Sequence, residues 1–130
     1  MDRRKFLRSL MMGLPAASAL SGVGGASGIR MVLLQTVPLA GFQYYEGEAV
    51  WPELAVGDRL ELRREVANRY DDNAIEVYWR GRKLGYLPRS HNEVAAGMMD
   101  RGEYFFGRVS RLRDSENPWE RLELELWLES

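Results

Sequence analysis

Cysteine is absent from the 130 residues, which excludes disulfides, thiolate nucleophiles and cysteine-rich zinc sites. Histidine occurs once, at His91. A metal centre would therefore need carboxylates around one imidazole at most, and a histidine-dependent triad has a single candidate base. No glycine run has phosphate-loop form and no serine sits in a nucleophile-elbow setting. Repeats and low-complexity tracts are missing, and apolar residues make up 45% of the chain, so a globular domain is expected. Charge of one sign is lacking as well. The net charge is −1, and after residues 1–29 there remain fourteen basic and eighteen acidic residues, a balance of −4. Such a domain has no global positive field with which to hold nucleic acid, so that binding would need a local basic face.

Two regions differ in character. Asp2-Arg3-Arg4-Lys5-Phe6-Leu7-Arg8 has the form of a twin-arginine signal, followed by a small-residue apolar run from Leu10 to Ala19 and a possible cleavage site before Leu20. That run is too short and too rich in Gly, Ala and Ser for a stable membrane span. Gly22 to Gly28 reads as a flexible linker. Residues 1–29 are thus expected to be signal and linker, with an exported, periplasmic product. Alternatives are an uncleaved basic tail, or a cytoplasmic domain whose translation starts at Met31.

From residue 30 the pattern is that of one β-rich domain. Met31 to Val37, ended by Pro38, reads as a strand, and Gly41 allows a bend into Phe42 to Tyr45, read as a second strand or bulged continuation. Arg59 to Arg64 alternates charged and apolar residues, placing Leu60 and Leu62 on a core face. Ala74 to Trp79 repeats the alternation, and Lys83 to Leu87 returns after the turn Arg80-Gly81-Arg82 as a hairpin. Ser90-His91-Asn92-Glu93 has capping-box spacing, Val94, Ala95, Met98 and Met99 follow at helical spacing, and Gly102 suits a helix stop. Tyr104 to Leu112 and Arg121 to Leu128 close the chain. About six short strands with one or two helices imply a small OB-like antiparallel β-barrel, because a flat sheet would leave long unprotected edges.

The polar run Asn68-Arg69-Tyr70-Asp71-Asp72-Asn73-Ala74 is the functional candidate. Asp71 and Asp72 could in principle supply acid/base chemistry or hold a hard cation, but the calcium-loop spacing fails. Side-chain oxygens in such a run commonly bond local amides and fix a turn. Recognition is the stronger reading. Arg63, Arg64, Arg69, Arg80, Arg82, Lys83 and Arg89 lie in or near the loop, with Tyr44, Tyr45, Tyr70 and Tyr86 close by. Cations neutralise phosphates and aromatic faces stack on unpaired bases. Composition alone equally allows an ordinary solvated face paired with Glu61, Glu65 and Glu76.

Three segments carry a resemblance: Gly41 to Gly47, Leu60 to Val77 with its run Arg64-Glu65-Val66-Ala67-Asn68-Arg69-Tyr70-Asp71-Asp72-Asn73-Ala74-Ile75, and Leu84 to Arg89. In order and spacing, from about Val37 to Val109, the sequence resembles the HIRAN domain. That resemblance implies an OB-like fold and a non-enzymatic, cofactor-free module that binds single-stranded DNA at its 3′ end. It also implies roles: Tyr44 and Tyr70 flank the terminal base, Asp71 accepts from the 3′-hydroxyl, Asn68 orients the loop and Arg89 meets a phosphate. Tyr45, Asn73 and Tyr86 complete the candidate set. Gln43 stands where the DNA-end binders carry a basic residue, which removes a charge-assisted contact of about 1.5–3 kcal/mol. Tyr86 stands in place of a histidine, and Ser110-Arg111-Leu112 lacks an expected aromatic wedge. The competing expectation is an exported interaction domain that uses the same cleft for a protein partner or other non-nucleic-acid ligand.

Overall fold

A computed structural model describes residues 28–130; the signal and most of the linker expected at 1–29 lie outside the described residues. Met31–Ser130 form one compact unit. Six strands make a single antiparallel sheet: β1 (Met31–Pro38), β2 (Arg59–Arg64), β3 (Ile75–Trp79), β4 (Arg82–Tyr86), β5 (Tyr104–Leu112) and β6 (Leu122–Glu129). Their order is β1-β6-β5-β2-β3-β4. Among the described residues two α-helices accompany them, the single turn α1 (Gly47–Val50) and α2 (Glu93–Asp100). Among the described residues no helix is long and apolar enough to cross a membrane.

Period-two patterning decides what is buried. Leu60 and Leu62 of β2, Ile75, Val77 and Trp79 of β3, and Leu122, Leu124 and Leu126 of β6 point into one core, joined by Phe105 and Val109 of β5. Ala95 and Ala96 bring α2 onto it. The opposite face is not uniformly polar. Phe106, paired across the sheet with Glu61 and Trp127, is fully buried because the Arg59 guanidinium lies over its ring at 3.8 Å. Here the apolar stem and flat head of arginine seal an aromatic that alternation has placed outside.

The mainly β architecture is as expected, but the sheet does not close. Its edge strands β1 and β4 share no ladder. Beyond β1, Leu39 still donates to Leu122, and then Ala40 exchanges both backbone hydrogen bonds with Tyr86 at 2.9 Å. This single bridge spans the two edges. Gly85 makes it possible, since a Cβ there would sit 2.2 Å from the Ala40 carbonyl oxygen. One residue later Gly41 adopts a left-handed conformation (φ 78°) that turns the chain away and ends the pairing. Phe42 to Tyr45 is consequently not a strand: Phe42–Tyr44 form a 3₁₀ turn.

The helix start also differs from expectation. Ser90 does not cap α2; its hydroxyl meets His91 Nδ1 at 2.7 Å, within a 3₁₀ turn over Arg89–His91. Asn92 occupies the N-cap position without a side-chain cap bond. At the other end, Gly102 and Glu103 donate to Met99 and Met98, closing the helix with paired backbone bonds.

Candidate nucleic-acid interface

The left-handed Gly41 and the 3₁₀ turn after it build one wall of a cleft. Phe42 is the anchor, fully buried with its ring edge-on to Trp51 at 5.8 Å. With Phe42 fixed inwards, Tyr44 is left 75% exposed. Tyr45 lies against Tyr86, ring centroids 5.9 Å apart. The Lys83 ammonium sits 4.3 Å from the Tyr45 ring and 4.2 Å from the Tyr86 ring.

The loop between β2 and β3 builds the other wall. Glu65 donates its amide to the Ala74 carbonyl, and Ala74 donates to Asp71. Asn68 donates its backbone amide to the Glu65 carbonyl at 3.2 Å, and side chains hold the rest of the loop. Asn68 Oδ1 accepts from the amides of Tyr70 at 2.8 Å and Asp71 at 2.9 Å, while its Nδ2 donates to Glu65 Oε1 at 2.7 Å. Each such bond offers the backbone what a ladder would otherwise supply. Asp71 Oδ1 accepts from the Asn73 amide at 2.9 Å and Oδ2 from Asn92 Nδ2 at 2.8 Å. Arg64 clamps the outside of the loop: it donates to the carbonyls of Ala74 and Asp72 and forms a two-pronged pair with Asp100 of α2 at 2.9 and 3.1 Å.

A chain of polar contacts joins the two walls beneath the cleft. Lys83 pairs with Glu76 at 3.1 Å and donates to Tyr86 Oη at 2.8 Å. The Tyr86 hydroxyl donates to Glu65 Oε1 at 2.6 Å, which also receives Asn68. The donated bonds from Tyr86 and Asn68 hold the Glu65 carboxyl below its ordinary range. Burial, with the hydrogen bond to Glu65, pushes the Tyr86 phenol up to about 12. Burial alone would pull Lys83 down, but its contacts with Tyr86 and Glu76 keep it above the usual lysine value. Across neutral pH Glu65 is therefore a carboxylate, Tyr86 a neutral phenol and Lys83 an ammonium.

The cleft has a volume of about 580 Å³. Tyr44, Tyr45, Asn68, Tyr70, Asp71, Tyr86 and Arg89 all line it, together with Glu65 and Arg69. Asn73 does not line it; its amide instead holds Asp71 from behind. Tyr70 is 79% exposed, so the two most exposed aromatic rings of the set share one cavity with two carboxylates and two arginines.

The broad basic face is not assembled. Arg63 pairs with Glu61 at 3.0 Å and lies over Tyr78. Arg80 lies over Trp79, Arg82 pairs with Glu46, and Arg64 is committed to the loop and α2. Of the arginines near the loop, Arg69 and Arg89 are those left in the cleft. Asn92 is a structural member of the site that pattern reading did not assign to it, and Glu65 and Lys83, read from the sequence as charged neighbours of the loop, turn out to be its supports. Among the described residues no group of three His, Cys, Asp or Glu side chains could hold a metal ion.

Comparison with known proteins follows this geometry. The HIRAN domain family model matches residues 32–130, wider than the stretch over which the motifs are legible. The crystal structure of a protein from Lactobacillus plantarum is similar with a TM-score of 0.71 and 39% identity, covering 79% of this chain and 99% of that one. The crystal structure of the HIRAN domain of human HLTF gives a TM-score of 0.60 at 23% identity, covering 77% of this chain and 79% of that one, a likeness of fold. A comparison with curated proteins gave no match. With the family match taking in all six strands but for Met31, and both walls of the cleft, the chain belongs to the HIRAN domain family.

Proposed function

We propose that this domain is a non-enzymatic module that binds single-stranded DNA and receives the strand's 3′ end in the cleft. The observation that carries the reading is the placement of Tyr44 and Tyr70, both largely exposed, in one cavity with Asp71 and Arg89. Exposed ring faces stack on unpaired bases and contribute about 1–3 kcal/mol per base. A carboxylate is acceptor-only when ionised, so it accepts from a terminal hydroxyl and repels a terminal phosphate. Arg69 and Arg89 supply the phosphate contacts. Few cations reach the cleft, so stacking rather than charge provides most of the affinity. Anisotropy titration of oligonucleotides with free and phosphorylated 3′ ends tests this: the free end should bind more tightly, and equal binding of the two would remove end recognition.

One observation favours a second reading, an exported interaction domain that grips a peptide or other non-nucleic-acid ligand. Most arginines near the loop are already paired with carboxylates or stacked on rings, and the sequence after residue 29 carries a net charge of −4. Binding that does not weaken as salt rises would support this reading, because phosphate contacts release counterions. The twin-arginine pattern at Arg3-Arg4 supports export in either case. N-terminal sequencing of the native protein tests it, with a start at Leu20 expected.

A further inference from the structure

We propose that Asn92 is the positioning residue of the cleft: it sets the direction of the Asp71 carboxylate and thereby the selectivity for a free terminal hydroxyl. The inference rests on the strand-end reading above. Among the described residues Asn92 is the buried polar side chain, 1% exposed. It occupies the N-cap of α2, where asparagine ordinarily accepts from the first free amides of the helix. It makes no such bond. Its amide is directed away from its own helix, and Nδ2 donates to Asp71 Oδ2 at 2.8 Å.

This bond does what a local turn cannot. The Asn73 amide fixes Asp71 Oδ1 from within the loop, which leaves the carboxylate free to rotate about that contact. A second donor on the other oxygen, supplied by a separate element, fixes the plane of the group. The remaining lone pairs then face a constant direction. Because the donor is a neutral amide, Asp71 keeps its full charge for an incoming hydroxyl or against a phosphate. The brace is anchored independently: α2 also holds the loop through Asp100 and Arg64 at its far end. Removing Asn92 therefore leaves the loop tethered while freeing the carboxylate.

The test uses the full chain and 5′-fluorescein-labelled oligo-dT ending in either a 3′-hydroxyl or a 3′-phosphate. Asn92→Ala should weaken the hydroxyl-ended strand about tenfold, the loss of one hydrogen bond to a charged group, and leave the phosphate-ended strand within about twofold. Asn92→Asp keeps the shape and adds a pH readout. A buried carboxyl facing Asp71 is pushed towards its protonated form, in which it donates as the amide did. Binding of the hydroxyl-ended strand should be near wild type at about pH 5 and fall by about pH 8. Arg64 is within electrostatic reach of Asp71, and His91 and Glu93 flank Asn92 in sequence; wild-type chain carries all three, so its own profile is the control. Selectivity lost in Asn92→Ala together with a sloping profile in Asn92→Asp establishes the role. Unchanged selectivity, equal weakening of both strands, or a profile parallel to wild type would overturn it while leaving the strand-end reading standing. Wild-type chain that binds neither strand would overturn both.

Discussion

Along the β5–β6 hairpin, paired positions run from Tyr104 and Glu129 to Leu112 and Leu122 with one register shift at Ser110, and the backbone ladder itself fixes the residues on either side of it. The loop between β2 and β3 has no ladder over residues 65–74; Asn68, Asp71 and Arg64 hold its backbone with side-chain bonds. The first region gains order from a repeated local pattern and the apolar surface it buries. The second gains order from a few polar contacts, each irreplaceable by its neighbours. A change in the hairpin should therefore be felt by the whole molecule, and a change at the cleft by the ligand.

The largest expected effect lies in the hairpin. Leu124→Ala empties a fully buried position and should cost about 2–5 kcal/mol of stability, measured by urea unfolding, with binding lost only in proportion to unfolded protein. Gly85→Ala attacks the junction of the two regions, since the new methyl would meet the Ala40 carbonyl. A cost of about 1–3 kcal/mol is expected from the forced backbone shift, and the Ala40 and Tyr86 amides should exchange faster with solvent than in wild type. Tyr70→Ala sharpens the contrast: a largely exposed ring should leave stability within about 0.5 kcal/mol but weaken the proposed binding of single-stranded DNA by about 1–3 kcal/mol. Preserved affinity would remove Tyr70 from the stacking role.

The smallest effect concerns pH. The folded state holds Glu65 below its ordinary value of 4.5, so its stabilising contribution is present above that value and is lost as pH falls through the lower, folded one. Asp100, lowered by the hydrogen bond from Arg64, shifts in the same sense. Glu65→Gln should reduce the slope of stability against pH below about pH 4.5, read from thermal unfolding in acid, with little change in slope near neutrality.

Much of the fold was legible because alternation is written into neighbouring residues. Leu60 and Leu62, or Leu122, Leu124 and Leu126, announce strand and buried face together. Where the chain departs from a ladder, the pattern misled. Phe42 to Tyr45 has strand-like composition, yet one buried ring at Phe42 and a left-handed Gly41 make it a 3₁₀ turn. Ser90 and Glu93 have capping-box spacing, but His91 takes the Ser90 hydroxyl and Asn92 becomes the N-cap position. At the cleft, the run from Asn68 to Ala74 marked the loop by its Asn and Asp content. Nothing in that run names Lys83, Tyr86 or Asn92 as its supports.

By itself the sequence determined the strands, the polar loop and the aromatic residues of the cleft, since each depends on chemistry within a few positions along the chain. Tertiary structure alone decided that the sheet stays open but for the bridge at Ala40 and Tyr86, that most nearby arginines are engaged outside the cleft, and that Asp71 is held by Asn92. Those outcomes depend on groups far apart in the chain, 21 residues for Asp71 and Asn92 and 36 for Arg64 and Asp100. No local period encodes such distances; they are set when the packed core brings β2, β4 and α2 around one loop.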